Sequence, residues 1–175
     1  MGLLNLKFIT ARKFIKKQRK VSDSKKEFEI TPIRRVGVVA ELSLIQTYDF
    51  TKRLSQQLNI QPEEVKMCLF DPSGKEEAPE FNRLCNEKDF GLNAKIKSEF
   101  LNKFVNNKFD LLINYCDPEL IYPKVIMLRS VANLKAGFDH ESNFFNDISV
   151  KTSGNDIDTF NMELLKYLKI LKLIN

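Results

Sequence analysis

Tryptophan is absent from this 175-residue sequence, and histidine occurs once, at His140. A single histidine excludes a zinc site built from several histidines, and the three scattered cysteines do not complete one. No serine lies in the G-x-S-x-G pattern that forms the nucleophile turn of α/β-hydrolases. No apolar run approaches the ~20 residues that a membrane-spanning helix needs. These absences exclude several common chemistries.

The cysteines, Cys68, Cys85 and Cys116, are odd in number and show no C-x-x-C spacing. Cys68 and Cys116 lie in apolar runs typical of buried strands, whereas the surroundings of Cys85 are polar. We expect free, reduced thiols, as in a cytosolic protein. Only Cys85 is a candidate reactive thiol, although no residue near it in sequence would lower its pKa.

Glycine is also scarce, with six residues, and the first predicted strand-to-helix turn contains none. That turn reads Glu41-Leu42-Ser43-Leu44, so an acidic residue stands where a phosphate would approach the helix N-terminus. Nucleotide binding of the usual P-loop or Rossmann kind is therefore not expected, and we predict no cofactor. Glu41 is instead a candidate ligand or catalytic acid.

The charge is unevenly distributed. The chain carries 28 basic and 23 acidic residues, a net charge of +5. Residues 1–35 hold eleven Lys or Arg against three acidic residues, so this segment carries +8 and the remainder −3. The basic character belongs to an N-terminal arm attached to a mildly acidic body.

The spacing of apolar residues in the arm predicts a basic amphipathic helix of about four turns, with Leu4, Phe8, Ala11 and Ile15 on one face. Such a helix binds an anionic membrane surface, a nucleic-acid backbone or a groove on a partner. The alternative, which we favour, is that Leu4, Phe8 and Ile15 pack on the chain's own domain. The candidate residues for binding an anion or partner are Lys13, Lys16, Lys17 and Lys20.

The segment from Phe109 to Asp117 predicts the central strand of a sheet. Leu111, Leu112 and Ile113 are apolar on both strand faces, as expected of a parallel strand that helices cover on both sides. Around it, short apolar runs alternate with helical patterns. Strands are predicted at 35–42, 65–71, 81–90, 134–139 and 147–151, and helices at 43–58, 94–107, 118–131 and from Asp156 or Asp158 onwards.

This alternation predicts a three-layer, Rossmann-like α/β domain with a mostly parallel sheet, preceded by the basic helix. We assign residues 1–30 to the helical arm and a polar linker, and residues 31–175 to a single α/β domain. Pro123 lies inside the predicted 118–131 helix. It would either kink that helix or mark its true start one turn later.

Four carboxylates and the histidine follow predicted strands, at the edge where parallel sheets bind ligands. They are Glu41, Asp71, Asp117, Asp139 and His140. Together they could bind a divalent metal or perform acid–base catalysis. We favour a structural role for them, because Asp at strand ends commonly forms turns and caps helices.

Two segments carry a family resemblance: Phe109-Asp110-Leu111-Leu112-Ile113-Asn114-Tyr115 and, after a helix, Leu134-Lys135-Ala136-Gly137-Phe138. In this pattern the chain resembles an uncharacterised family of small bacterial proteins with a basic N-terminal helix and a domain of unknown function. The resemblance covers most of the chain, from the basic arm to the Tyr167–Leu171 helix. It implies an α/β fold but identifies no site residues.

The same two segments resemble the amino-terminal half-domain of heptosyltransferase-type glycosyltransferases. There an FDL(V/I)I strand, a helix and an aliphatic-Gly-aromatic strand occur in that order. Those enzymes bind their sugar nucleotide mainly through a second domain, so the resemblance implies shared architecture and not transfer activity.

The sequence leaves the function unknown. We favour a cytoplasmic α/β binding or interaction module whose basic helix attaches it to a protein partner or to a second copy of itself. One alternative is a small enzyme with its site at the carboxyl edge of the sheet. The other is peripheral binding to nucleic acid or an anionic membrane through the arm. The cytoplasm is expected because Met1–Leu6 has neither the apolar core of a secretory signal nor Ser or Thr at position 6 for N-myristoylation.

Overall fold

The computed structural model describes residues 3–21, 30–75, 83–140, 143–152 and 156–174. Five helices and six strands form these residues, together with short 3₁₀ turns. The helices are α1 (Leu3–Val21), α2 (Phe50–Leu58), α3 (Glu99–Val105), α4 (Ile121–Arg129) and α5 (Ile157–Ile170). The strands are β1 (Val36–Glu41), β2 (Val65–Phe70), β3 (Leu84–Cys85), β4 (Leu111–Asn114), β5 (Leu134–Phe138) and β6 (Ile148–Val150).

The strands form one sheet in the order β3-β2-β1-β4-β5-β6, and every neighbouring pair is parallel. The predicted Rossmann-like α/β fold is confirmed. β1 and β4 lie at the centre with Val38 opposite Ile113, and all residues of β4 are buried. Burial on both sides explains why this strand lacks the polar–apolar alternation of a half-exposed strand.

Two apolar cores cover the two faces of the sheet. α2 and α5 pack on one face through Phe50, Leu54, Phe160 and Leu164. α3 and α4 pack on the other face, where Leu101, Phe104, Val125 and Ile126 are buried. We call these the α2–α5 face and the α3–α4 face. Helices on both faces make the predicted three layers.

Several predicted boundaries are wrong. Residues 42–46 form a separate 3₁₀ turn, and α2 begins only at Phe50, where the Asp49 carboxylate accepts a hydrogen bond from the Lys52 amide at 3.0 Å. Ser43 therefore does not cap α2. α3 begins at Glu99 instead of residue 94, since Ser98 caps it. α4 begins at Ile121, so Pro123 lies in its first turn and marks the later start, one of the two predicted outcomes.

The weakly patterned stretch after β2 contains the predicted edge strand, reduced to the two residues of β3. Residues 81 and 82 of that prediction lie outside the described residues. Asp156 is the N-cap of α5, because its carboxylate accepts hydrogen bonds from the amide and hydroxyl of Thr159. The predicted linker at 22–29 also lies outside the described residues, so the division of the chain at residue 30 stays a prediction.

The three cysteines are free and buried, as expected for Cys68 and Cys116. Cys85 is also buried, which corrects its interpretation as the thiol with polar surroundings. Its sulfur lies 3.3 Å from that of Cys68. The hydrogen bond between the two thiols and their burial raise the pKa of Cys68 well above its ordinary value, so this thiol stays protonated near neutral pH.

Candidate functional site: a basic groove at the carboxyl edge

All strands of the parallel sheet end at the same edge, so the predicted site residues lie along one rim. The order of the sheet places the ends of β2, β1, β4 and β5 next to one another. β1 pairs with both β2 and β4, and the chain changes direction across the sheet between β1 and β4. In open α/β sheets this switch point is the usual place for a ligand.

Glu41 and Asp117 meet at the switch point. The backbone amide of Asp117 donates to Oε1 of Glu41 at 2.8 Å. The Asp117 carboxylate in turn accepts from the amide of Glu119 at 2.7 Å. These bonds join the end of β1 to the turn that leads into α4.

Asp71 and Asp139 lie on either side of this pair and do not join it through any hydrogen bond of the described residues. Oδ1 of Asp71 accepts from the amide of Ser73 at 2.8 Å and from its hydroxyl at 2.7 Å, which fixes the turn after β2. Asp139 is exposed, and its amide donates to the carbonyl of Val150. Within the described part of the chain, no three His, Cys, Asp or Glu side chains are grouped so that they could hold a metal ion. Catalysis by these carboxylates stays a prediction.

His140 points toward a different neighbour. Its Nε2 lies 3.2 Å from Oε1 of Glu119, at the mouth of a groove of about 360 Å³. Side chains from α1, from the start of α4 and from the loop after β5 line this groove. The apolar lining consists of Phe8, Ile15, Ile121 and Phe144, and the charged or titratable lining consists of Arg12, Lys16, Arg19, Lys124, Glu119 and His140. We call it the α1–α4 groove.

The groove exists because α1 packs on the α3–α4 face. Ala11 is fully buried there, and the Arg129 guanidinium lies 4.7 Å from the centre of the Phe14 ring. The Thr10 hydroxyl oxygen accepts from the amide of Asn93 at 3.1 Å. The face of α1 that packs inward is thus centred on Ala11 and Phe14. Of the predicted packing residues, Ile15 packs on the α3–α4 face as predicted, and the side chain of Leu4 lies outside the described residues. The predicted packing through Phe8 is wrong, since this side chain is 42% exposed and lines the groove.

The electrostatics of the groove are dominated by cations. Lys124 is 7% exposed. Its pKa is lowered mainly by burial and further by the Arg12 guanidinium, while the Glu119 and Asp117 carboxylates act in the opposite direction. The N-terminus of α4 lies at the same place, and a helix N-terminus carries partial positive charge. An anion bound beside Lys124 would be attracted by the Lys124 ammonium, the Arg12 guanidinium and the helix N-terminus, and repelled by the two carboxylates.

The four lysines predicted to bind an anion or a partner do not all line the groove. Lys16 lines the groove, whereas Lys13 and Lys17 are exposed on α1 outside its lining. The side chain of Lys20 lies outside the described residues. Arg12, Arg19 and Lys124 also line the groove and were not predicted. The available signal for Lys124 was that it is the single charged residue in the apolar stretch 120–128. Burying a charge costs free energy unless it is paired, so a lysine at such a position indicates a specific interaction.

A six-stranded parallel sheet in this order, with helices on both faces, defines a Rossmann-like α/β domain whose groove lies at the carboxyl edge. Residues 7–171 match the model of a family described as "Family of unknown function (DUF6913)". The chain belongs to this family, which confirms the predicted membership in a family of unknown function. No curated protein matches the chain. None of the described helices combines the length and apolar character needed to cross a membrane.

Proposed function

We propose that this protein is a cytoplasmic binding module that holds an anionic ligand in the α1–α4 groove. The observation that carries the proposal is the convergence of Arg12, Lys16, Arg19 and Lys124 on one concave surface. Burying the Lys124 ammonium costs free energy in the unliganded protein, and a bound anion offsets that cost. The buried, free thiols agree with a reducing compartment.

The lining of the groove also indicates the form of the ligand. Phe8, Ile15, Ile121 and Phe144 place apolar and aromatic surface next to the cations. A phosphate or carboxylate attached to an apolar group fits both parts, since the anion contacts the cations while the apolar group leaves water. A carboxylate-bearing segment of a protein partner, or of a second copy of this chain, has the same chemistry.

The test is calorimetric titration of the full chain with hexyl phosphate, inorganic phosphate and hexyl glucoside. We expect hexyl phosphate to bind at least about tenfold more tightly than inorganic phosphate, because burying the hexyl chain adds hydrophobic free energy. Hexyl glucoside should not bind measurably. Equal binding of hexyl phosphate and hexyl glucoside would contradict the proposal. Sedimentation of the protein alone shows whether it self-associates, and dissociation by hexyl phosphate would place the second copy in the groove.

Replacing Lys124 with methionine should weaken hexyl phosphate binding about tenfold or more, because hydrogen bonds to charged groups contribute about 1.5–3 kcal/mol. The same substitution should leave the free energy of unfolding at neutral pH unchanged or higher. The folded-state pKa of Lys124 is lowered, so its charged form opposes folding below that pKa. Calorimetry and urea denaturation measure the two effects.

The control for this substitution is Lys169→Met, an exposed lysine on α5 outside the groove lining. This variant should change neither the affinity for hexyl phosphate nor the free energy of unfolding. A Lys124→Met variant that unfolds at lower urea but binds hexyl phosphate as tightly as the wild type would show that Lys124 serves stability and not binding.

A further inference from the structure

α1 has a second exposed flank, on the side away from the groove. Leu6, Ile9, Lys13 and Lys17 follow one another at spacings of three and four residues, so they form a single stripe along the helix. All four side chains are exposed. We call this stripe the open flank. It shares no residue with the lining of the α1–α4 groove.

The open flank divides along its length into an apolar and a basic part. Leu6 is 41% exposed and Ile9 37% exposed at the N-terminal end, while Lys13 and Lys17 follow one to three turns later. Leu6 and Lys17 are eleven positions apart, about 16 Å along the helix axis at 1.5 Å per residue. This distance allows both parts to contact one flat surface at the same time.

The charge of α1 is of one sign. Residues 3–21 contain seven Lys or Arg and no acidic residue, so the rest of the chain together carries −2. An anionic surface therefore attracts α1 and not the body, which orients the protein before contact. At physiological ionic strength such attraction acts over about 8 Å, so it depends on the salt concentration.

Three kinds of anionic partner offer different contacts to the open flank. A nucleic-acid backbone pairs with the lysines but offers no apolar contact for Leu6 and Ile9. An acidic protein segment fits a concave surface, and the open flank is the convex side of a helix. A bilayer with anionic headgroups offers both phosphates and acyl chains in one plane, as amphipathic interfacial helices require.

We propose that the open flank of α1 docks on an anionic phospholipid membrane. Leu6 and Ile9 enter the boundary between headgroups and acyl chains, and Lys13 and Lys17 contact lipid phosphates. The side of α1 that carries Ala11 and Phe14 stays packed on the α3–α4 face, so docking needs no unfolding of the domain. The α1–α4 groove then opens beside the membrane surface, and docking does not depend on what the groove binds.

The experiment is co-sedimentation of the full chain with vesicles of phosphatidylcholine alone or with 30% phosphatidylglycerol. We expect binding only to the vesicles that contain phosphatidylglycerol, and its loss at 0.5 M salt. Lys13→Gln with Lys17→Gln should weaken binding roughly 30-fold, since each basic residue near an anionic surface contributes about fivefold. Leu6→Ser with Ile9→Ser should weaken it at least about tenfold.

The matched control is Met162→Ser with Ile170→Ser, which removes two exposed apolar side chains from α5 and should leave vesicle binding unchanged. The proposal is overturned if the Leu6 and Ile9 variant binds like the wild type. It is also overturned if an oligonucleotide binds and the vesicles do not. Titration of hexyl phosphate into the same variants separates the two proposals. A variant that loses vesicle binding but retains hexyl phosphate binding bears on the open flank alone and leaves the proposal for the α1–α4 groove unaffected.

Discussion

Replacing Asn161 with leucine is expected to lower the free energy of unfolding by about 3 kcal/mol. Asn161 is 1% exposed on α5, and its amide joins two buried tyrosines. Its Nδ2 donates to the Tyr48 hydroxyl at 2.7 Å, and its Oδ1 accepts from the Tyr115 hydroxyl at 2.6 Å. Leucine preserves the volume but leaves the buried Tyr115 hydroxyl unpaired, which costs about 1–3 kcal/mol. It also removes the bond to Tyr48, which keeps its interaction with Asp158, at about 1 kcal/mol more.

The two tyrosines make stability depend on alkaline pH. Burial raises the pKa of Tyr115 well above its ordinary value and also raises that of Tyr48. The folded state therefore retains these protons more tightly than the unfolded chain. The resulting stability is complete below the ordinary tyrosine pKa of about 10 and is lost as pH rises toward the folded-state pKa.

Urea denaturation at pH 7 measures the cost of Asn161→Leu, and a series up to pH 11 follows the alkaline loss. Tyr167→Phe is the control, because Tyr167 is 46% exposed on the same helix. It should not change the midpoint at pH 7. An Asn161→Leu variant with the wild-type midpoint would mean that the two hydroxyls find other partners without cost.

Gly37→Ala should destabilise the domain by about 3 kcal/mol, although it adds only one methyl group. Gly37 lies in β1 opposite Lys66 of β2 and Leu112 of β4. A β-carbon there would lie 2.7 Å from Cδ1 of Leu112 and 2.7 Å from Cδ2 of Phe109. Both neighbouring side chains are almost completely buried, so they can move only by displacing other core residues. Overpacking of this kind typically costs about 1–3 kcal/mol.

The matched substitution is Gly91→Ala, where the nearest atom to the new β-carbon, the Lys95 carbonyl oxygen, lies at an ordinary 3.6 Å. This variant should stay within about 0.5 kcal/mol of the wild type, as surface substitutions usually do. Urea midpoints at a constant m-value compare the two variants. Equal midpoints for both would show that Phe109 and Leu112 move aside at no cost.

The fold was predictable because the strands carry local signals. Leu111, Leu112 and Ile113 are apolar on both faces, the pattern expected of a central parallel strand. The start of α2 was not predictable in the same way. Ser43 and Asp49 are equally good N-caps, and the choice between them depends on the 3₁₀ turn at 42–46.

The α1–α4 groove could not be predicted from the sequence, for a different reason. Its lining comes from three separate segments, 8–19, 119–124 and 140–144, and only the packing of α1 brings them together. Ala11 of α1 is buried in the core of the α3–α4 face, which Phe14 and Ile15 contact, whereas Phe8 stays exposed in the groove. The contacts that hold α1 in this position come from residues about eighty positions away in the chain, such as Asn93.

The hydrogen bond between Glu41 and Asp117 has a consequence for where ligands bind. In a nucleotide-binding domain of this topology, backbone amides at the switch point hold phosphate oxygens. Here a carboxylate of the protein itself accepts from an amide at the switch point, because Oε1 of Glu41 lies 2.8 Å from the Asp117 nitrogen. That amide is therefore already paired within the protein. The cations that could attract an external anion lie instead between α1 and α4, in the α1–α4 groove.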